Sequence, residues 1–198
     1  KKEPVDQWLN TKDSTGKNLL EYFYEDQEKY GFAFQMNAFI SRTKDILDMR
    51  KDNGTECPRK LNFVERSVFT DKNVFMECNY RIGNISEIEY NIYQRWFNVF
   101  SKQFNLEGDV YIYLKTSKDI CNNRIMKRDR TGESGIPLDY LEELNKLHEE
   151  WLKREEENGI KVITIDASQD FIKEPERMET EFDRIMKVIS EIPLGSLL

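Results

Sequence analysis

The chain has 198 residues, enough for one domain with a sizeable core. Its 38% apolar and 12% aromatic content is that of a folded protein and excludes a disordered segment. A net charge of −7 argues against a nucleic-acid surface, and no apolar run is long enough to span a bilayer, so neither nucleic acid nor membrane is an expected partner. No signal peptide opens the sequence, and Cys57, Cys78 and Cys121 lie far apart without metal-ligand spacing. They read as reduced thiols of a cytoplasmic protein, and a mitochondrial address would require an upstream leader.

In chain order, Ser14-Thr15-Gly16-Lys17 invites a phosphate-loop reading. It follows no strand and lacks a first glycine at the required distance, so it is expected to be an ordinary loop before a helix at Asn18. Phe34, Ala38, Phe39, Ser41 and Ile46 fit one face of a long helix, followed by a loop from Asp48 to Lys60. Lys60 to Val64 reads as a buried strand ending in Glu65-Arg66-Ser67. Ile85 to Phe104 is helical, with Ile88, Ile92, Trp96, Val99 and Phe100 at helical spacing. Trp96, Phe97 and Phe100 are expected in a core or a dimer interface rather than at a ligand. Val110 to Leu114 is a second strand, ending in Lys115-Thr116.

Arg124, Arg128 and Arg130 then fall at i, i+4 and i+6, where a helix gives way to a loop holding Gly132 and Gly135. Arginines grouped on such a loop suit a lid that closes over a polyphosphate; the competing reading is an exposed basic helix end. A helix over Asp139 to Glu157 follows, with Pro137 at its start, His148 as a packed structural residue and Lys153 to Glu157 as a solvated face. Val162 to Ile165 is the third strand, and a last helix runs from Glu176 to Ser190. Strands alternating with helices imply α/β architecture with a parallel sheet covered on both faces. Ligands then bind beyond the carboxyl ends of the strands, at Glu65-Arg66-Ser67, Lys115-Thr116 and Asp166 to Phe171.

Phe63-Val-Glu65-Arg66-Ser67-Val-Phe-Thr-Asp71 resembles the strand-end motif of the deoxynucleoside kinases, the family of deoxycytidine, deoxyguanosine and mitochondrial thymidine kinases. Arg128-Asp-Arg130-Thr-Gly-Glu133 and the segment through Trp151-Leu152 are similar to its lid and the helix after it. Glu3-Pro4-Val5-Asp6-Gln7-Trp8 resembles the end of its second strand, and Tyr24 through Gln35 to Arg42 resembles its nucleoside-pocket helices. The resemblance is collinear over nearly the whole chain. It implies a single P-loop kinase-like domain over residues 1–198, three-layered α/β/α, with a parallel sheet of five strands in the family and a helical lid. It also implies a homodimer built by helix packing.

Residue by residue, the resemblance makes Glu3 the general base on the 5′-hydroxyl and Glu65 a holder of Mg2+. Arg66 would steady the 5′-oxygen, and Arg124, Arg128 and Arg130 the phosphates of ATP. Tyr24 and Glu133 would bond the 3′-hydroxyl. Gln35 would read the base edge, Phe34 would stack near the base, and Trp8, Leu20 and Phe75 would form apolar walls. Asp170 and Phe171 would sense the donor's base. Arg42 and Asp71 match the pair that lines the base pocket of deoxycytidine and deoxyguanosine kinases, which leaves no room for the thymine methyl; deoxycytidine, deoxyadenosine and deoxyguanosine stay open as substrates. The family's first strand and phosphate loop lie before the position of Glu3, so they are absent here and upstream residues are expected. A nucleoside monophosphate kinase, or a non-catalytic relative such as the kinase-like accessory subunit of respiratory complex I, are the alternatives.

Overall fold

The computed structural model describes residues 1–52, 61–129 and 135–192. The chain divides into two compact units, Lys1–Glu107 with Asp129–Gly135, and Gly108–Arg128 with Ile136–Leu198.

The first unit is helical. It holds α1 (Val5–Asn10), α2 (Leu19–Glu25) and the long α3 (Gln27–Asp52). Next come α4 (Val68–Thr70), a π-helical stretch (Asp71–Met76) and α5 (Glu77–Arg81), which run on without a break, and then α6 (Glu87–Phe104). Polar caps set the starts. Asn18 accepts from the Glu21 backbone N–H at 2.9 Å while Glu21 accepts from that of Asn18 at 3.2 Å, and Ser86 and Glu89 repeat the exchange at α6. At the far end of α6, Asn105 takes a left-handed conformation (φ 47°) and Arg50 of α3 donates to the Phe104 and Asn105 carbonyls that the helix leaves open.

α3 serves two apolar clusters. Phe39 packs with Val68, Met76, Ile85, Tyr93, Phe97 and Leu106, its ring 5.7 Å from those of Tyr93 and Phe97. Phe34 and Ala38, on another face, pack with Trp8, Leu20 and Phe23. Aromatic pairs of this kind contribute about 0.5–1.5 kcal/mol each beyond their buried area. α3 is therefore fixed from two sides, and so is any side chain it carries between them.

The second unit contains β1 (Val110–Lys115), α7 (Lys118–Arg128), α8 (Leu138–Glu157), β2 (Lys161–Asp166) and α9 (Pro175–Ser190). β1 and β2 pair in parallel, Val110 opposite Lys161 through Lys115 opposite Asp166. α8 buries Leu147, Trp151 and Leu152, with Trp151 edge-on to Tyr111 of β1 at 4.9 Å. Its end is a Schellman motif. Gly159, at φ 88°, donates to Glu156 and Ile160 donates to Glu155, which turns the chain directly into β2. His148 is structural, its Nδ1 at 2.7 Å from the Leu144 carbonyl and its ring stacked on Tyr113.

Two expectations are corrected, and a third is refined. The strand expected at Lys60 to Val64 does not form over its described residues 61–64. Lys1 bonds the Phe63 carbonyl through its amino group, and Glu65 N–H bonds the Lys1 carbonyl at 2.8 Å, but one such rung without a continuing neighbour makes no ladder, and Leu61, Phe63 and Val64 stay 42–48% exposed. The loop expected from Asp48 begins later, because Lys44 and Lys51 pair with Asp48 and carry α3 on to Asp52; residues 53–60, with Cys57, lie outside the described residues. On α6 the buried face is Tyr93 and Phe97, whereas Ile88, Ile92, Trp96 and Val99 point outward.

Candidate active site

The Arg42 guanidinium sits at the centre of the charged cluster in the first unit. Its Nε donates to Asp71 Oδ1 at 3.1 Å, Nη1 to the Glu65 carbonyl at 2.9 Å and Nη2 to Glu3 Oε1 at 2.5 Å. Arg66 Nη1 donates to the same Glu3 oxygen at 2.9 Å. Arg66 reaches it from a left-handed backbone (φ 62°), a conformation costing a residue with a side chain about 1–3 kcal/mol, and its guanidinium lies 4.6 Å over the Phe75 ring. Glu3 is nearly buried, and two guanidiniums within hydrogen-bond range are what make a buried carboxylate tolerable.

Asp71 opens the π-helical stretch, a rare geometry that recurs at functional positions. Burial pushes its carboxyl up to about 6, outweighing the pull of Arg42 and Arg66. Burial also works against the Arg42 charge, but Asp71 and Glu3 outweigh it and hold the guanidinium protonated. Arg42 Nε stands 2.8 Å from Asp71 Oδ2 but off the line of its N–H, so that oxygen accepts no hydrogen bond among the described residues. The Tyr93 hydroxyl, also fully buried, makes none either.

Trp8 links this charged cluster to the apolar residues expected from the sequence. Trp8 donates its indole N–H to Ser41 Oγ at 2.9 Å and meets Phe34 edge-on at 5.2 Å, with the Arg42 guanidinium 5.4 Å over its ring. Leu20 is buried in the same cluster, and Tyr24 is half-buried with its ring tilted against Phe23 at 5.6 Å. Gln35 lies two helical turns before Arg42 on the same face of α3. It is only 2% exposed.

On the second unit, α7 ends at Arg128, with both Arg124 and Arg128 on exposed positions. Arg124 donates to the Ser168 and Gln169 carbonyls of the loop after β2. Asp170 accepts from the Ile172 backbone at 3.1 Å, and Phe171 lies under the Arg177 guanidinium at 5.3 Å. Arg130 and Glu133 lie outside the described residues. Ser14 to Lys17 is an ordinary turn: Asp13 accepts from Thr15 and Lys17 backbone N–H groups, and Gly16 takes φ 88°.

Among the described residues no group of three acidic, His or Cys side chains is placed to hold a metal. Mg2+ does not need such a cage, since it keeps several waters and binds through one or two carboxylates plus phosphate oxygens. Glu65 fits that requirement: its carboxylate is exposed, and Oε2 takes one bond, from the Glu3 N–H at 3.2 Å.

Two features escaped the sequence. Arg42 was expected only at the base pocket, yet it also holds Glu3, a contact across 39 positions that no local pattern announces. Arg177 gave no motif at all.

The profile of the family described as deoxynucleoside kinase matches residues 1–190. A probable deoxycytidine kinase of fowlpox virus is 36% identical over 193 residues, which cover 96% of this chain and 77% of the relative. Deoxycytidine kinase 1 of Xenopus laevis is 31% identical, with 96% and 80% covered. Mitochondrial thymidine kinase 2 of Macaca fascicularis is 33% identical over 152 residues, 76% of this chain and 53% of that protein. With a match that runs through both units and includes every member of the Glu3, Arg42, Arg66 and Asp71 cluster, the chain belongs to the deoxynucleoside kinase family, enzymes of the P-loop kinase fold that phosphorylate deoxynucleosides with ATP as donor.

Proposed function

We propose that the protein phosphorylates the 5′-hydroxyl of a deoxynucleoside whose base carries an amino group, deoxycytidine foremost, and excludes thymidine. The observation that carries this reading is the buried Asp71, paired with Arg42 yet with an Oδ2 that accepts no hydrogen bond among the described residues, together with the buried Gln35 of α3. The Gln35 amide offers a donor and an acceptor side by side, and Asp71 Oδ2 offers a second acceptor. A base edge with adjacent amino and imino groups satisfies both. A methyl and a carbonyl there would leave Asp71 facing an acceptor and crowd its ion pair. The deoxycytidine kinases among the relatives support the same choice.

In this reading Phe34 stacks near the base, Trp8, Leu20 and Phe75 close the apolar walls, and Tyr24 and Glu133 bond the 3′-hydroxyl. Glu3 takes the 5′-hydroxyl proton as the O5′–P bond forms and the bond from the γ-phosphorus to the β-phosphate oxygen breaks. Little basicity is required of it, because phosphoryl transfer depends mostly on position and charge. Arg66 neutralises charge at the 5′-oxygen, and Arg124, Arg128 and Arg130 steady the donor phosphates. Bound Mg2+ would supply further charge neutralisation, with Glu65 as the residue that holds it. The two units act as one kinase domain, since the family match crosses both. The molecule works as a homodimer through the apolar stripe of α6, where Ile88, Ile92, Trp96 and Val99 are 39–67% exposed. Cys78 and Cys121, neither of them in a disulfide, are consistent with a cytoplasmic location.

The test is a pair of variants. Arg42→Met alone leaves Asp71 as a buried unpaired charge and should cost about 3–5 kcal/mol of stability. Adding Asp71→Ala should recover most of that and admit thymidine as substrate. Continued exclusion of thymidine by the double variant would show that this pair does not set base choice.

A further inference from the structure

Arg177, in the first turn of α9, organises the loop after β2. Its Nη2 donates to the Asp166 carbonyl at 2.6 Å and stands 3.4 Å from Asp166 Oδ2. Its Nη1 faces Glu174 at 3.4 Å, and the guanidinium carbon lies 5.3 Å from the Phe171 ring centroid. One side chain thus joins the end of β2, the Phe171 ring and the start of α9. A long side chain gives up much rotamer freedom to be held by so many partners, and the planar guanidinium is the group that can pair with oxygens at its rim while presenting a face to a ring.

The rest of the loop is closed locally. Ser168 N–H donates to Asp166 Oδ1 at 2.9 Å, Ile172 N–H to Asp170 Oδ1 at 3.1 Å, and Arg124 ties the Ser168 and Gln169 carbonyls to α7. Among the described residues no other cation or aromatic ring meets Phe171, and Asp170 has no side-chain partner beyond the Ile172 N–H. The loop therefore presents a ring backed by one cation, next to a carboxylate with acceptor capacity to spare.

We propose that Arg177 is a positioning residue for the phosphate donor. It holds Phe171 as a stacking platform for the base of a nucleoside triphosphate, with Asp170 at the platform's edge to accept from an amino or imino group of that base. The inference rests on the reading of Asp170 and Phe171 as the donor-base loop.

Steady-state kinetics of the full chain test it, with ATP varied at saturating deoxynucleoside and then the reverse, for Arg177→Met, Arg177→Lys, Phe171→Ala and the Arg177→Met/Phe171→Ala pair. Arg177→Met should raise the donor KM about three- to tenfold and leave the deoxynucleoside KM unchanged. Arg177→Lys keeps a charge for Asp166 but has no planar face, so its donor KM should fall between. The double variant should be no worse than Phe171→Ala alone, because Arg177 acts through that ring. A loss of folded protein would lower the amount of active enzyme but not split the two KM values. An unchanged donor KM in Arg177→Met, alongside a raised one in Phe171→Ala, overturns the proposal. So does an equal rise in both KM values. An unchanged donor KM in Phe171→Ala removes the donor-loop reading itself, and the proposal with it.

Discussion

Glu3 is nearly buried and Asp71 fully so; both are joined to one guanidinium, and the proposed function gives them different tasks. Glu3 Oε1 is shared by Arg42 and Arg66, so its place is fixed by charge-assisted bonds from two directions. Glu3→Gln keeps the size of the side chain but removes the proton acceptor; turnover should fall by about 10²- to 10⁴-fold with nucleoside KM little changed, as read by initial rates. A KM that rises as much as kcat falls would make Glu3 a binding residue instead. Asp71 carries a pH signature. Its carboxyl, pushed up to about 6 by burial, is an ionised acceptor above that pH and a neutral hydroxyl below it. As the pH drops below 6 the group that should accept from the base becomes a donor. The KM for deoxycytidine should then rise by up to about tenfold per pH unit. Asp71→Asn, neutral at every pH, should flatten that profile, and an unaltered profile would assign the titration to another group.

At the scale of elements, α6 shows how far periodicity reaches. Ile88, Ile92, Trp96 and Val99 recur at helical spacing and so do Tyr90, Tyr93, Phe97 and Phe100; the sequence marks two apolar stripes on one helix. Only tertiary packing decides between them. Tyr93 and Phe97 win the core because Phe39, held on α3, supplies a ring 5.7 Å from each of theirs, which leaves the other stripe outward. An outward apolar stripe of four large residues fits a self-complementary interface. If the proposed dimer forms through this stripe, Ile92→Lys combined with Trp96→Lys should leave a monomer by sedimentation or light scattering, with the helical signal retained; an unchanged mass would move the interface elsewhere. The strand expected at Lys60 to Val64 shows the opposite limit. Its aromatic and β-branched residues favour an extended chain, but a ladder needs neighbours that composition cannot supply, and residues 61–64 form no strand.

For the whole molecule, the two kinds of information were complementary. Helix positions and the strands at Val110 and Val162 were legible because long amphipathic stretches and short β-branched runs are local signals. Caps such as Asn18 with Glu21 and Ser86 with Glu89 confirm those limits within a residue or two. Motif resemblance named the candidate site residues, since each lies in a short run with a distinct pattern. What neither could show was joint placement. That Arg42 spans Glu3, Glu65 and Asp71, or that Arg177 backs Phe171, depends on segments far apart in sequence or on a contact with no pattern. The cluster also bears on the nucleoside monophosphate kinase alternative, because its central cation is committed to carboxylates of the chain itself. Arg42 is spent on Glu3 and Asp71 and is only 5% exposed, so it is not placed to hold an acceptor phosphate. The most direct measurement is transfer of labelled γ-phosphate from ATP by the full chain, with deoxycytidine and deoxycytidine monophosphate compared side by side. Label should appear in the monophosphate made from deoxycytidine and not in a diphosphate. Labelling of the diphosphate alone would contradict the account.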